Sequence, residues 1–490
     1  MSKLAETMKE TLNYTLTEKL ALTHKSTMSE VLDLFSSIGG RRGQDITKHF
    51  SRAFAENETL AVLTAFYSRD PRSGQGEREL FRQILSWLAD NKPETFNKIF
   101  KLVPEFGRFD DLFALVAHET VGQDVTAFLK KQFFDDLDSL SNNSISLISK
   151  WLPSNNTSSR DSRRLAAFFA KEFGLTPKQY RQALSKLRAK LKVVERDMSA
   201  NNWGGINYSH VPSYASKLYR KAFNRHDELR YKEFLANVKG GKAKINASVL
   251  YPYDLVKEYL SWANNGVDQT IEAQWKALPN YAETSENALV IADLSGSMFN
   301  GNNPSPAQIA ISLAIYVAER NTGIFKEYWM NFSETPNLIK LTGATLYERV
   351  KNLDRDNWGC TTNLQSAFNM ILNTAVKADI SQAEMPTKLF IVSDFEWDQA
   401  CPRNDKTNFQ VIKQKYENSG YKLPQIIFWN VAARAKQSPV TMNESGVFLV
   451  SGASPSIFKN AIRAEAKTPY ELMLEVLNGD RYKAVREVLA

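Results

Sequence analysis

The chain has 490 residues, 43% of them apolar, two cysteines and a formal net charge of +8. One hydrophobic core rarely serves more than ~250–300 residues, so the length predicts two domains. Cys360 and Cys401 form no disulfide framework or zinc ribbon and suit a reducing, cytoplasmic setting; MSKLAETMKE has no signal-peptide character, and no apolar run reaches the ~20 residues of a membrane span.

The first 280 residues predict helix after helix. HFSRAFAENETLAVLTAFYSR, ERELFRQILSWLADN, DVTAFLKKQFFDDL, RRLAAFFAKEF and YASKLYRKAF carry apolar residues at three- and four-residue spacing. DNKPET, LVPEFGRFDD and FGLTPKQ punctuate them, and no alternating strand is read here. Successive helix pairs predict an all-α, HEAT-like helical-repeat module over 1–284. All of the positive excess lies in this half: 41 basic against 32 acidic residues in 1–280, and 21 against 22 in 281–490. Within 151–250 the counts are 20 and 7, which composition alone reads either as a footprint for a polyanion or as a solvated lysine-rich surface.

In PKQYRQALSKLRAKLKVVER, Tyr180, Leu184, Leu187, Leu191 and Val194 form an apolar stripe. Arg181, Arg188 and Lys192 flank it on one side, Lys186 and Lys190 on the other, placed to neutralise phosphates while the helix stays packed. Lys217, Arg220 and Lys221 extend the series. Arg69, Arg72, Arg78 and Arg82 surround a glycine loop at a helix start, without the Lys-Ser/Thr of a P-loop.

From 285 the pattern changes. NALVIADLS, KEYWMNFS, NLIKL, KLFIVSDF, PQIIFWNVA and GVFLVSG read as strands; PAQIAISLAIYVAERN, TLYERVKNL, LQSAFNMILNTAVK and FQVIKQKYENSG read as helices between them. The alternation predicts a Rossmann-like α/β domain over 285–490, with a mostly parallel sheet covered on both faces. In such sheets ligands bind beyond the carboxyl ends of the strands. The first strand ends in Asp293, Ser295 and Ser297; Thr362 precedes a later helix; Asp394 ends a later strand. One or two carboxylates with hydroxyls are hard ligands, suited to Mg2+ or Mn2+ and poor for zinc or copper.

This Asp-x-Ser-x-Ser, Thr, Asp set resembles the metal-ion-dependent adhesion site of von Willebrand factor A domains. The resemblance implies that Ser295, Ser297 and Thr362 ligate directly, that Asp293 and Asp394 act through water, and that a protein partner's carboxylate fills an open position. In GCTTN the threonine is Thr362 or Thr361; where many A domains have glycine after the second aspartate, this chain has Phe395. SDFEWD, with Glu396, resembles the Ro autoantigen branch, which joins a ring of helical repeats, the TROVE module, to an A domain. KINASVLYPYDLVKEYLSWANNG and YSHVPSYASKLYRKAF resemble parts of that module, while AFYSRDPRSGQGERELFRQIL and PEFGRFDDLF look like a divergent TROVE-like group of phages and plants. The resemblance implies a monomer that binds small non-coding or misfolded RNA without being an enzyme, with His210 as a further RNA contact. The five histidines show no metal spacing, and no nucleophile elbow or Walker pattern occurs. The alternative is a protein-interaction scaffold that uses the metal site and has no RNA role.

Overall fold

The computed structural model describes residues 12–141, 144–261, 266–282, 287–299, 303–333, 335–353, 361–399, 406–458 and 467–490; Cys360 and Cys401 lie outside them. The chain forms two compact units, 1–80 with 247–483, and 81–246 with 484–490. The first unit thus includes residues on both sides of 284/285.

The first unit is built on a six-stranded sheet. A hairpin of β1 (Tyr14–Leu16) and β2 (Leu22–His24) precedes it in the chain, where the sequence suggested only helices. The sheet strands are β3 (Ala288–Ala292), β4 (Tyr328–Asn331), β5 (Leu338–Lys340), β6 (Lys388–Ser393), β7 (Gln425–Asn430) and β8 (Val447–Ser451), in the order β5-β4-β3-β6-β7-β8. β4, β3, β6, β7 and β8 pair in parallel, and only β5 at the edge is antiparallel. ALVIA and KLFIVS are buried along their whole length, as central strands covered on both faces must be. The helices between strands start where their caps predict. Ser305 opens Pro306–Arg320 with a capping box and proline at the first position, Asn363 caps Leu364–Ala378, and Thr407 boxes Asn408–Asn418.

The helices Pro252–Leu260 and Gln269–Lys276 belong to this unit: Trp275 Nε1 donates to Glu319 and Arg320 donates to the Trp275 carbonyl, both at 2.8 Å. The N-terminal helix Glu30–Ser37, capped by Ser29, buries Val31, Leu34 and Phe35. The turn after it brings Gly39 against Gly452, just past β8. A Cβ on Gly39 would stand 2.7 Å from Gly452 Cα, and the Gly39 amide donates to Ser451 Oγ at 3.0 Å. This backbone approach leaves no room for a side chain.

The second unit is helical, with no strand among its described residues. Its main helices are Gly122–Asp138, Arg160–Glu172, Pro177–Lys190, Ser213–His226 and Glu228–Lys239. Aromatic rings fill the core: Phe133 lies 4.9 Å from Phe173, and Tyr208 lies 5.2 Å from Phe223 and 4.8 Å from Tyr231. Among the described residues of either unit, no helix is long and apolar enough to cross a membrane.

Candidate functional site

In the sheet unit, β3 and β6 run side by side and end together, so Asp293 and Asp394 emerge on adjacent strands at the carboxyl edge. Asp293 is wholly buried. Its carboxylate accepts from Ser393 Oγ at 2.6 Å and from the Ser295 amide at 2.9 Å. The Ser295 and Ser297 hydroxyls meet at 3.2 Å, and Ser297 Oγ donates to Asp394 Oδ2 at 2.9 Å. Four of the five expected ligands thus form one connected oxygen cluster.

Thr362 is buried, whereas Thr361 is half-exposed, which distinguishes the two threonines. The Thr362 amide donates to Asp398 at 2.7 Å, and the Asp398 amide returns a bond to the Thr362 carbonyl. Asp398 therefore ties Thr362 to the loop that carries Asp394. That loop turns at Phe395, whose φ of 66° is the left-handed value that glycine adopts freely. The buried ring offsets the strain by packing against Trp397 at 5.2 Å and Phe428 at 5.8 Å.

Burial, together with the negative charge of Asp394, pushes the Asp293 carboxyl up to about 6. Two buried carboxylates among hydroxyls form a hard, all-oxygen donor set, which fits Mg2+ or Mn2+. Among the described residues no group of three or more His, Cys, Asp or Glu is placed to hold a metal. Positive charge from the chain already stands close. Arg434 Nη2 lies 3.6 Å from Asp394 Oδ2 and donates to the Ser297 carbonyl. Lys19, in the β1–β2 turn, donates to Thr362 Oγ1 at 3.0 Å and pairs with Asp398 at 3.2 Å. The turn is fastened by the Glu18 amide on Glu396 at 2.8 Å and by Thr17 Oγ1 on the Trp397 carbonyl at 2.8 Å. Sequence reasoning missed Lys19, Ser393, Asp398 and Arg434. Only Ser393 and Asp398 carried a signal, through their place in the SDFEWD segment.

In the helical unit the predicted basic residues separate into two groups. Arg181, Lys186, Lys192, His210 and Lys221 are exposed and Lys190 is half-buried. Arg188 instead points inward, donating to the Ser149 carbonyl at 2.9 Å, the Leu152 carbonyl at 2.6 Å and Ser154 Oγ at 2.6 Å. Lys217 and Arg220 are buried as well, and Arg220 Nη1 donates to the Lys217 carbonyl at 2.7 Å. They share one helix face with Ser213, Ser216 and Phe223, all buried; that periodicity marks an inner face, so neither is a surface contact. Around the glycine loop, Arg69 is buried, Arg72 is exposed, Arg78 pairs with Glu79 at the surface, and Arg82 pairs with Asp110 and Asp111.

The chain thus joins a helical unit to an α/β unit with a hydroxyl-rich carboxylate cluster at its sheet edge. The family model described as Domain of unknown function (DUF7788) matches residues 287–484, and Domain of unknown function (DUF2828) matches 17–133 and 170–284. An uncharacterized protein of Acanthamoeba polyphaga mimivirus is 30% identical over 507 aligned residues, covering 95% of this chain and 87% of that protein. The chain belongs to the family that includes this viral protein and carries the DUF2828 and DUF7788 domains.

Proposed function

We propose that this chain is a non-enzymatic, cytoplasmic RNA-binding protein of Ro type, in which a HEAT-like helical module binds RNA and an A-type domain recruits a protein partner through Mg2+. The observation that carries the metal reading is the oxygen cluster of Asp293, Ser295, Ser297 and Asp394 across the ends of two adjacent parallel strands. Ser295, Ser297 and Thr362 would ligate Mg2+, with Asp293 and Asp394 holding its waters. The ion would supply an electrophilic position for a partner's carboxylate.

The RNA reading is supported by the exposed series Arg181, Lys186, Lys192 and Lys221, none of which forms an ion pair among the described residues. Cations without carboxylate partners release counterions when they meet phosphates. The test is retention of single-stranded and structured RNA by the full chain at rising salt. The expected result is a linear fall of log affinity with log salt, reduced by at most about one phosphate per residue when Arg181, Lys186 and Lys192 become alanine. No salt-sensitive retention would leave the scaffold reading, in which the basic charge serves solubility.

Lys19 bears on the metal half. Its ammonium uses a lone pair of Thr362 that an ion needs. Lys19→Ala is expected to tighten Mg2+ binding by about tenfold in calorimetry, as a charge-assisted bond to a ligand is worth ~1.5–3 kcal/mol. An unchanged or weakened affinity would show that Lys19 does not compete with the ion.

A further inference from the structure

We propose that a cleft in the helical unit, between the helix Pro177–Lys190 and the segments around 150–156 and 193–199, binds a nucleoside 5′-phosphate. The nucleotide is either free or the unpaired 5′ end of an RNA; the second form rests on the RNA reading above. The cleft holds about 690 Å3, within the ~300–1,000 Å3 usual for small-molecule sites and far more than a phosphate ion fills.

Its charge selects an anion. Lys150, Arg181, Arg188 and Arg196 line it against one carboxylate, Glu195, which already accepts from the Tyr219 hydroxyl at 3.1 Å. Arg188 is committed to the wall through its three bonds to 149–154. Arg181 and Arg196 are exposed, with no ion pair among the described residues, and their forks suit a terminal phosphate.

Its remaining lining suits a nucleoside. Trp151 is held in place by the Arg108 guanidinium, 3.4 Å from its ring centre, and Arg108 is itself bonded to Asp110 at 2.7 Å. A fixed indole with Leu184 and Val193 gives apolar area for a base or ribose. Asn155 is fixed in the wall by its amide nitrogen, which donates to the Pro177 carbonyl at 3.0 Å, and Ser154, Gln182 and Ser185 add polar lining.

The test uses the full chain in EDTA, which silences any divalent site. Binding of 5′-AMP, inorganic phosphate, and one short single-stranded RNA with a 5′-phosphate or a 5′-hydroxyl is measured for wild type and for Arg181→Ala/Arg196→Ala. Both substitutions are at exposed positions, and retained thermal unfolding confirms the fold. The expected result is 5′-phosphorylated RNA binding about tenfold or more tighter than 5′-hydroxyl RNA, with AMP abolishing that advantage and the double variant lacking it. RNA binding without discrimination or competition by AMP overturns the cleft and leaves the RNA reading standing. AMP saturation without RNA binding supports the cleft as a mononucleotide site and overturns the RNA reading. Competition by inorganic phosphate equal to that by AMP overturns the nucleoside assignment.

Discussion

Full-length protein carrying Ser295→Ala and Ser297→Ala is expected to lose Mg2+ binding by at least about a hundredfold and to lose its partner in pull-down, while RNA affinity and its salt slope stay at wild-type values. The two hydroxyls are the centre of the oxygen cluster, 3.2 Å apart and bonded onward to Asp394. On the proposed metal reading, removing both would take away two direct ligands and leave carboxylates that a strongly hydrated ion would meet only through water. The fold should survive. The changes delete one hydroxyl pair and one bond to Asp394, each worth about 1 kcal/mol, and Arg434 remains beside the carboxylate. RNA should be indifferent because residues 281–490 carry no positive excess. Calorimetry with Mg2+ and Mn2+, beside RNA retention and partner recovery on the same preparation, checks each arm. Equal divalent affinity in the two proteins would remove the metal assignment. Lost RNA binding with intact partner recovery would reverse the roles of the two halves.

Arg188→Ala is expected to destabilise the helical unit by about 3 kcal/mol, lowering its unfolding midpoint by roughly 6–10 °C, whereas Arg181→Ala should leave it within about 1 °C. The guanidinium reaches the carbonyls of Ser149 and Leu152, the first within and the second just beyond the four-residue helix Ile148–Trp151. Terminal carbonyls have no partner within their own helix, and a cation placed there also meets the negative end of the peptide dipoles. Lysine cannot reproduce the fork, so Arg188→Lys should recover only part of the loss. Differential scanning calorimetry on the three variants decides the point. A midpoint for Arg188→Ala equal to wild type would mean that these bonds carry no net stability, returning Arg188 to the set of candidate phosphate contacts.

The central strands were legible because a parallel sheet covered on both faces writes its strands as unbroken apolar runs: ALVIA, KLFIVS and QIIFWN leave no other reading. Helix starts were legible for a local reason as well, since Ser305 with Gln308 and Thr407 with Gln410 are complete capping boxes in sequence. The hairpin Tyr14–His24 was not, as strands of three residues are too short to show alternation. It is also held from far along the chain, as Thr23 Oγ1 donates to the Ser438 carbonyl at 2.9 Å. The same distinction holds at the candidate sites. Asp293, Ser295 and Ser297 follow one another in the chain, whereas Lys19 and Arg434 arrive through tertiary contacts that no local pattern encodes. For the basic helices, the stripe was traced in part: Tyr180, Leu184 and Leu187 are buried in the helix Pro177–Lys190, whereas Leu191 caps its end, Lys192 turns away at a φ of 50° and Val194 opens a separate helix. The burial of Lys217 and Arg220 could have been foreseen from their spacing with Ser213, Ser216 and Phe223.

The seating of Gly39 on Gly452 has a consequence for how the chain is made. The Gly39 amide waits for Ser451, 412 residues downstream, and Thr23 waits for Ser438, 415 residues downstream. At ~5–20 residues per second, the ribosome needs about 20–80 s to deliver those partners. Residues 81–246 emerge in the meantime and hold most of what their own unit requires, so the inserted unit can fold while the first segment is still unpaired. During that interval Val31, Leu34 and Phe35, all fully buried in the finished molecule, have no sheet to cover them. Synthesis therefore leaves an interval in which residues 81–246 can fold while the apolar face of the first segment is without its sheet. A transcript truncated before the codon for Ser451 would leave the product in that state.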